Sequence, residues 1–495
     1  MVVAPGTSHG IRSALRSPIH TSIMIVCIQC DKMYGEGMNG KNDLGWLSPL
    51  DEGPQPIYLR IVDALAAARS SGRLQPGDRL PPQRELARFL GVDLTTVTRA
   101  FTEARRRNLI DATAGRGTFV TPGEPEEPIL DLSMNIPPAP SGLSLPALIR
   151  SGIEGLLKRS SAEALLSYHP GPGSPAERAA GSSWLAATGD RPPVERVAVG
   201  SGAQALLAAV LLSQTREGDT ILTDALTYPG LIALAQATGR KLAGVGRDDD
   251  GMRPDRLEEA ARRHGASVLY LNPTLHNPTA LTMPEGRRRD LAQMAGKLGL
   301  TIVEDDPYSP LQTSSPPAFL GLAPERTFHV ATLAKCVSPF LRTAFLVAPN
   351  AEAVERIAAA IRGTTMMAPP LMTGLACEWV RGGLAGEITA AVRAEAQARQ
   401  ELARRILPAG FASAQSSLHL WYPLGERPRS SELADVARRR GLAISPAEEF
   451  AVAPGVADGL RLALGAASSR ERLEEGLRSL LAILAGGLVS ARPQV

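Results

Sequence analysis

The chain has 495 residues, of which 44% are hydrophobic and 21% are charged, and its formal net charge is +3. These values are typical of a folded protein of two or three domains and exclude a disordered or fibrous chain. No apolar run approaches the ~18 residues that cross a bilayer, and no signal-peptide pattern is present. We therefore expect a cytoplasmic protein without a membrane segment.

The N-terminal stretch mixes Gly, Ser and Asn with scattered apolar residues, which predicts a flexible extension over residues 1–53. Translation could also start at Met33 or Met38, which both precede the first well-patterned segment. Cys27 and Cys30 form a C-x-x-C pair, but no second pair completes a tetrahedral zinc site. We therefore predict no metal site.

A basic segment follows. Between Ile57 and Val120 the chain carries 11 Arg, no Lys and 6 acidic residues, a net +5, whereas the rest of the chain sums to −2. Apolar residues at four-residue steps predict a first helix, and a short second helix ends at Gly91. A third helix is predicted from about residue 94 to 107, with Asp93 as a capping residue whose carboxylate accepts free backbone N–H groups.

Two helices joined by a short glycine-containing turn predict a helix-turn-helix, here within a domain over residues 54–122. The third helix would present hydroxyl and guanidinium groups to base edges and phosphates, and a hairpin that contains Arg116 would form a wing. A small helical domain for protein contacts is the alternative. The helix residues expected to face DNA are Thr95, Thr96, Thr98 and Arg99.

This segment resembles the GntR family of bacterial regulators. The matching motifs are Pro76-Gly77-Asp78-Arg79-Leu80-Pro81, Arg84-Glu85-Leu86-Ala87, Thr95-Thr96-Val97 and Gly115-Arg116-Gly117-Thr118-Phe119-Val120. The resemblance implies that Arg84 contacts a DNA phosphate and that Arg116 and Gly117 contact DNA from the wing. Asp93-Leu94 replaces the Ser-Arg pair that the family often carries before Thr-Thr, which removes one expected basic contact.

Residues 121–141 contain six prolines and four acidic residues, which predicts a semi-extended linker over residues 123–142. Downstream, β-branched runs alternate with amphipathic stretches. This pattern predicts an α/β domain with a mostly parallel sheet over residues 143–490, which ends in a small α+β subdomain. The predicted strands cover residues 197–199, 220–222, 267–271, 301–303, 328–331 and 343–347.

Polar clusters follow several predicted strands, which is where ligands bind in such sheets. Gly200-Ser201-Gly202-Ala203 opens an apolar helix, whose backbone N–H groups and dipole suit a phosphate. Lys335 follows an apolar strand, and burial there would lower its pKa and favour covalent bonding to an aldehyde. Other polar residues after predicted strands are Asn277, Asp305, Tyr308 and Arg342.

In this order, the motifs resemble fold-type I aminotransferases, which use pyridoxal 5′-phosphate (PLP), over about residues 143–484. The resemblance implies that Lys335 holds PLP covalently, that Asp305 pairs with the ring nitrogen, and that Arg461 clamps the carboxylate of a substrate or effector. It further implies contacts of Ser201, Gly202, Ala203 and Arg342 with the phosphate, of Asn277 and Tyr308 with the phenolic oxygen, of Tyr228 with the ring, and of Tyr168 with the phosphate bound by a partner subunit.

A GntR-like domain followed by an aminotransferase-like domain is the arrangement of the MocR subfamily of regulators. The resemblance implies a homodimer that binds operator DNA, senses PLP or an amino compound as effector, and controls catabolic or vitamin B6 genes. Two alternatives stay open. One is an active aminotransferase with an accessory DNA-binding domain, and the other is a sensor of PLP alone that controls vitamin B6 supply.

Overall fold

A computed structural model describes residues 55–75, 77–107, 109–113, 117–121, 129–159, 161, 167–186, 189, 191–425, 429–453, 455–456 and 458–485. The predicted extension with its cysteine pair, and Arg116 of the predicted wing, lie outside these residues. The chain divides into two compact units, residues 1–127 and 128–495.

In the first unit, helices pack around one apolar core beside a hairpin. The elements are α1 (Ile57–Ser70), α2 (Gln83–Leu90), α3 (Leu94–Arg106), β1 (Ile110–Thr113) and β2 (Gly117–Val120). The two strands pair antiparallel. Burial of the apolar faces stabilises the unit, and the buried residues include Ile61, Leu65, Leu86, Val97, Phe101 and Ile110.

The turn between α2 and α3 depends on one glycine. Gly91 ends α2 with a φ of 65°, a left-handed conformation that glycine adopts without a steric cost. Asp93 stands at the N-cap of α3, but its side chain makes no capping hydrogen bond. The predicted position of Asp93 is therefore confirmed, and the predicted role of its carboxylate is wrong.

The second unit is built on a seven-stranded sheet in the order β4-β12-β11-β10-β9-β5-β6. The strands are β4 (Val197–Gly200), β5 (Thr220–Asp224), β6 (Lys241–Val245), β9 (Val268–Leu271), β10 (Thr301–Asp306), β11 (Thr327–Thr332) and β12 (Ala344–Val347). A hairpin of β7 (Arg247–Asp248) and β8 (Gly251–Met252) lies outside this sheet. All neighbours in the sheet are parallel except β12, which runs antiparallel to β11 and β4.

Helices cover both faces of the sheet. Phe345 packs into one core and the next residue, Leu346, packs into another, as the alternation of side chains along a strand requires. None of the described helices combines the length and apolar composition needed to cross a membrane. The helices of this layer are α4 (Leu145–Arg159), α5 (Pro175–Leu185), α6 (Ala203–Gln214), α7 (Pro229–Ala237), α8 (Pro254–His264), α9 (Glu285–Leu298), α10 (Phe319–Leu322), α11 (Ala351–Thr364) and α12 (Pro370–Arg381).

A smaller α+β subdomain completes the second unit. Its antiparallel sheet has the order β13-β16-β15. The elements are α13 (Leu384–Ile406), β13 (His419–Pro423), α14 (Ser430–Arg439), β14 (Leu442–Ala443), β15 (Ser445–Pro446), β16 (Gly459–Ala463) and α15 (Arg470–Ala485).

Residues 129–136, which we call the entry segment, pair with this subdomain. The segment contains β3 (Leu130–Asp131), which runs parallel to β14. Leu132 is fully buried, and its carbonyl accepts a hydrogen bond from Ala463 at 2.7 Å. A Cβ atom on Gly465 would lie 1.8 Å from the carbonyl oxygen of Ile136, so the two backbones are closely packed. Residues 129–136 of the predicted linker over residues 123–142 therefore belong to the second unit, where Leu130 and Asp131 form a strand despite the nearby prolines.

Candidate functional site

A cavity of about 140 Å³ lies where β9, β10 and β11 end at their carboxyl termini. This is the edge at which parallel sheets bind ligands. Of the residues predicted to contact a cofactor, those that line the cavity are Gly202, Ala203, Tyr228, Asn277, Asp305, Tyr308, Lys335 and Arg342.

Lys335 follows β11 and reaches the cavity with a half-buried side chain. Its ammonium group donates a hydrogen bond to the carbonyl oxygen of Asn135 at 2.5 Å. Burial, reinforced by the positive charge of Arg461, lowers the pKa of Lys335 to about 8. At pH 7 about one such amine in ten is unprotonated, against fewer than one in a thousand for an ordinary lysine. Lys335 is therefore suited to bond with an aldehyde.

The lowered pKa of Lys335 predicts that its reaction with an aldehyde depends on pH. Only the unprotonated amine attacks an aldehyde, so we expect the rate to rise about tenfold per pH unit below pH 8 and to level off above it. Stopped-flow absorbance after mixing with PLP measures this rate, and Lys297→Ala, which removes an exposed lysine, is the matched control. A rate that keeps rising to pH 10 would show that Lys335 has an ordinary pKa.

Asp305 lies at the end of β10 with one carboxylate oxygen unpaired. Its Oδ2 accepts a hydrogen bond from the hydroxyl of Tyr270 at 2.7 Å, whereas its buried Oδ1 has no partner among the described residues. Burial raises the pKa of Asp305 to about 6. A buried carboxylate oxygen without a partner is costly. A protonated ring nitrogen in the cavity would satisfy it.

Gly202 and Arg342, which also line the cavity, suit an anion. Gly202 has a φ of 92° and precedes α6, whose first backbone N–H groups are free to bind a phosphate. The Arg342 guanidinium crosses this turn, where a Cβ atom on Gly202 would lie 3.0 Å from its Nη2. Arg342 also donates to the carbonyl of Ser201 at 3.1 Å. The groups present therefore match the phosphate, the ring nitrogen and the aldehyde of PLP.

Arg461 extends from β16 and is only 6% exposed. Its Nη1 donates to Asn277 Oδ1 at 3.1 Å, and its Nη2 donates to Ser445 Oγ at 3.1 Å and to the carbonyl of Ser133. The guanidinium carbon lies 4.9 Å from the ring centroid of Phe450. The described residues place no carboxylate in an ion pair with Arg461. A buried guanidinium without an anionic partner is suited to bind a carboxylate.

Two predicted cofactor residues do not line the cavity. The Ser201 hydroxyl donates to the carbonyl of Met367 at 3.1 Å. Tyr168 is 76% exposed. The role predicted for Tyr168 concerns a partner subunit and remains a prediction.

Two functional candidates were missed by the sequence analysis. Asn135 lies in the entry segment, and its Nδ2 donates to the Tyr308 hydroxyl at 2.9 Å and lies 3.1 Å from His419 Nδ1. The alternation of apolar residues around His419 indicates a strand, but no local pattern shows that the imidazole reaches this site. His276 is buried, and its carbonyl oxygen lies 3.0 Å from His419 Nε2.

In the first unit, α2 and α3 expose the side chains predicted to contact DNA. Arg84, Thr95, Thr98 and Arg99 are exposed, and Thr96 is half-buried. The Arg99 guanidinium lies 4.6 Å from the ring centroid of a neighbouring tyrosine, which restrains it. The exposed side of α2 and α3 therefore presents hydroxyl and guanidinium groups, while the other side of these helices packs into the core of the first unit.

The hairpin of this unit depends on Gly117. This residue has a φ of 120°, and a Cβ atom on it would lie 2.8 Å from Arg79 Nε. The backbone of Arg79 also forms an isolated antiparallel β-bridge with that of Phe119. Arg79 is thus a further basic residue beside the hairpin that the motif analysis had not assigned to DNA.

Comparison with known families matches both units. The sequence profile of the family described as aminotransferase class I and II matches residues 127–480. The profile of bacterial regulatory proteins of the gntR family matches residues 57–120.

Similar proteins include regulators and an enzyme. The chain is 28% identical to the HTH-type transcriptional regulator YdeF of Bacillus subtilis, over 89% of this chain and 97% of the relative. It is 26% identical to the vitamin B6 salvage pathway transcriptional repressor PtsJ of Salmonella typhimurium, over 83% of this chain and 95% of the relative. The crystal structure of LysN, an alpha-aminoadipate aminotransferase from Thermus thermophilus, matches with a TM-score of 0.65 and 28% identity, over 78% of this chain and 98% of that chain.

Proposed function

Because this chain belongs to the class I and II aminotransferase family and carries a GntR-type regulator domain, we propose that it is a homodimeric transcription regulator that binds operator DNA and PLP. The observation that carries the proposal is that one chain combines exposed Thr and Arg side chains on α3 with a set of cavity residues that matches PLP.

The chain's own residues would divide the work of holding the cofactor. Lys335 would bond to it, Asp305 would keep its ring nitrogen protonated, and Arg342 with the N-terminus of α6 would hold its phosphate. When bound, PLP supplies an aldehyde that exchanges amines and a ring that withdraws electrons. Asn277 lines the same cavity and is held by Arg461.

The proposed effector is an amino compound with a carboxylate. Arg461 would orient that carboxylate through paired hydrogen bonds, while the effector's amine competes with Lys335 for the aldehyde. The Thermus thermophilus relative was solved with N-(5′-phosphopyridoxyl)-L-leucine, which supports this class of ligand. The similarity to a vitamin B6 salvage repressor supports PLP itself as a second signal and vitamin B6 genes as targets.

The proposed homodimer is supported by Tyr168, a large and exposed side chain in the segment that leads into α5. Two DNA-binding units in one dimer would read two half-sites.

The full chain tests this proposal directly. We expect binding in fluorescence anisotropy to DNA from upstream of its own gene, with a dissociation constant that changes when PLP and amino acids are added. Unrelated DNA of equal length is the control. Sustained turnover of amino donors and oxo acids without specific DNA binding would instead establish the alternative of an active aminotransferase, which the similarity to LysN favours.

The phosphate contact assigned to Arg84 predicts a specific salt dependence. Arg84→Ala is expected to weaken operator binding and to lower the slope of log K against log salt by about 1, since one fewer counterion is released. Arg106→Ala removes the same charge from the far end of α3, where Arg106 is paired with Glu103, and serves as the matched control. An equal change in slope for both variants would contradict the assignment.

A further inference from the structure

A chain of buried polar groups ends at Tyr308. It begins at the carbonyl of His276, which lies 3.0 Å from His419 Nε2. His419 Nδ1 lies 3.1 Å from Asn135 Nδ2, and the same Nδ2 donates to the Tyr308 hydroxyl at 2.9 Å. Asn135 is 5% exposed, Tyr308 is 2% exposed and His419 is fully buried. Water therefore does not compete for these bonds.

The first group sets the direction of every later bond. A backbone carbonyl only accepts, so His419 must carry its proton on Nε2. Burial lowers the pKa of His419 to about 3, and the charges of Arg461 and Lys335 act in the same direction, so the imidazole stays neutral. A neutral imidazole has one N–H, and its Nδ1 is therefore an acceptor.

An acceptor at Nδ1 fixes the amide of Asn135. The NH₂ group must face His419, because the opposite orientation would place two acceptors against each other. One of its hydrogens goes to Nδ1 and the other to the oxygen of Tyr308. The Tyr308 hydroxyl is thereby used as an acceptor, and no described protein group accepts its own hydrogen, which is left for the cavity that Tyr308 lines.

We propose that Asn135 and His419 are positioning residues that hold the Tyr308 hydroxyl as a hydrogen-bond donor toward the phenolic oxygen of the bound cofactor. This inference rests on the proposed binding of PLP. Asn135 acts at two points, because its backbone carbonyl also accepts a hydrogen bond from the Lys335 ammonium group.

A reversal of the bond direction tests the proposal. In Asn135→Asp the carboxylate only accepts, so it takes the hydrogen of Tyr308 and the phenolic oxygen loses its donor. Without that donor the phenolic oxygen holds more tightly the proton that it shares with the lysine nitrogen. The loss of this donor alone is then expected to raise the pH midpoint of the bound cofactor's absorbance by about one unit, a tenfold change in the protonation equilibrium.

The added negative charge would itself raise this midpoint, and a double-mutant cycle separates the two effects. In a Tyr308→Phe background Asn135→Asp retains the charge but has no hydroxyl to redirect. We therefore expect the shift to be smaller there by about one unit. His419→Asn, which keeps an acceptor near the position of Nδ1, should preserve the wild-type midpoint, whereas His419→Leu should raise it. Thermal unfolding verifies that each variant is folded.

The cofactor-free protein gives an independent readout. The ¹⁵N shifts of His419, assigned by comparison with His419→Asn, are expected to show the Nε2–H tautomer from pH 5 to 8. A proton on Nδ1, or no difference between the two arms of the cycle, overturns the positioning role while PLP binding stands. If the wild-type protein forms no absorbance band with PLP, the proposed function fails and the positioning role fails with it.

Discussion

Lys335→Ala is expected to abolish the covalent attachment of PLP and to weaken the remaining binding at least ~100-fold, about 3 kcal/mol. The reason is that Lys335 is the amine with a lowered pKa at the cavity, while Asp305 and Arg342 contribute only non-covalent contacts. Borohydride reduction followed by mass spectrometry measures the attachment, which we expect on the peptide that contains Lys335. The change of DNA affinity on addition of PLP should disappear in the same variant.

Lys297→Ala is the control for this experiment, because Lys297 is exposed on α9. A pyridoxyl group recovered from Lys335→Ala protein, at wild-type yield, would remove Lys335 from its assigned role. If PLP attaches to the wild-type protein but does not change its DNA affinity, the assignment of the cofactor site stands. Its use as a sensor is then contradicted.

Arg461→Lys is expected to raise the half-saturating concentration of an amino-acid effector about 30- to 100-fold, close to 2–3 kcal/mol, which is the scale of hydrogen bonds to a charged group. Lysine keeps the charge but cannot form the paired, planar hydrogen bonds of a guanidinium. Titration of the bound cofactor's absorbance with an amino acid measures the change. PLP binding itself should be little altered, since Arg461 is not among the residues that line the cavity.

An alkylamine without a carboxylate provides the control for Arg461. Its half-saturating concentration should be the same for the wild type and the variant, because it makes no use of the guanidinium. An equal loss for both ligands would mean that Arg461→Lys acts by disturbing Ser133 and Ser445 rather than by releasing a carboxylate.

The sheet was largely predictable because its strands are buried apolar runs. Each of the six predicted strand segments overlaps a strand of the observed sheet. The seventh strand, β6, was missed, since it is an edge strand whose exposed residues and Gly244 weaken the apolar signal. The helix-turn-helix was equally clear, because its helices, turn glycine and basic residues lie within one short stretch of sequence.

The groups around Tyr308 were not predictable, for a physical reason. Asn135 is separated from Tyr308 by 173 residues and from His419 by 284 residues. These contacts form only when the entry segment and the small subdomain both pack against the sheet. No periodic pattern in the local sequence indicates them. Asn135 was hidden further by its proline-rich surroundings, which indicate a linker more strongly than a strand.

The entry segment contacts two side chains of the candidate site and follows residues 121–128, which connect it to β2 in the sequence. Its carbonyls at Ser133 and Asn135 accept hydrogen bonds from Arg461 and Lys335, the two cations that a carboxylate and an aldehyde would engage. An aldehyde or a carboxylate bound there would replace these hydrogen bonds of the entry segment. By reciprocity, operator binding would alter ligand affinity by the same factor by which the ligand alters operator affinity.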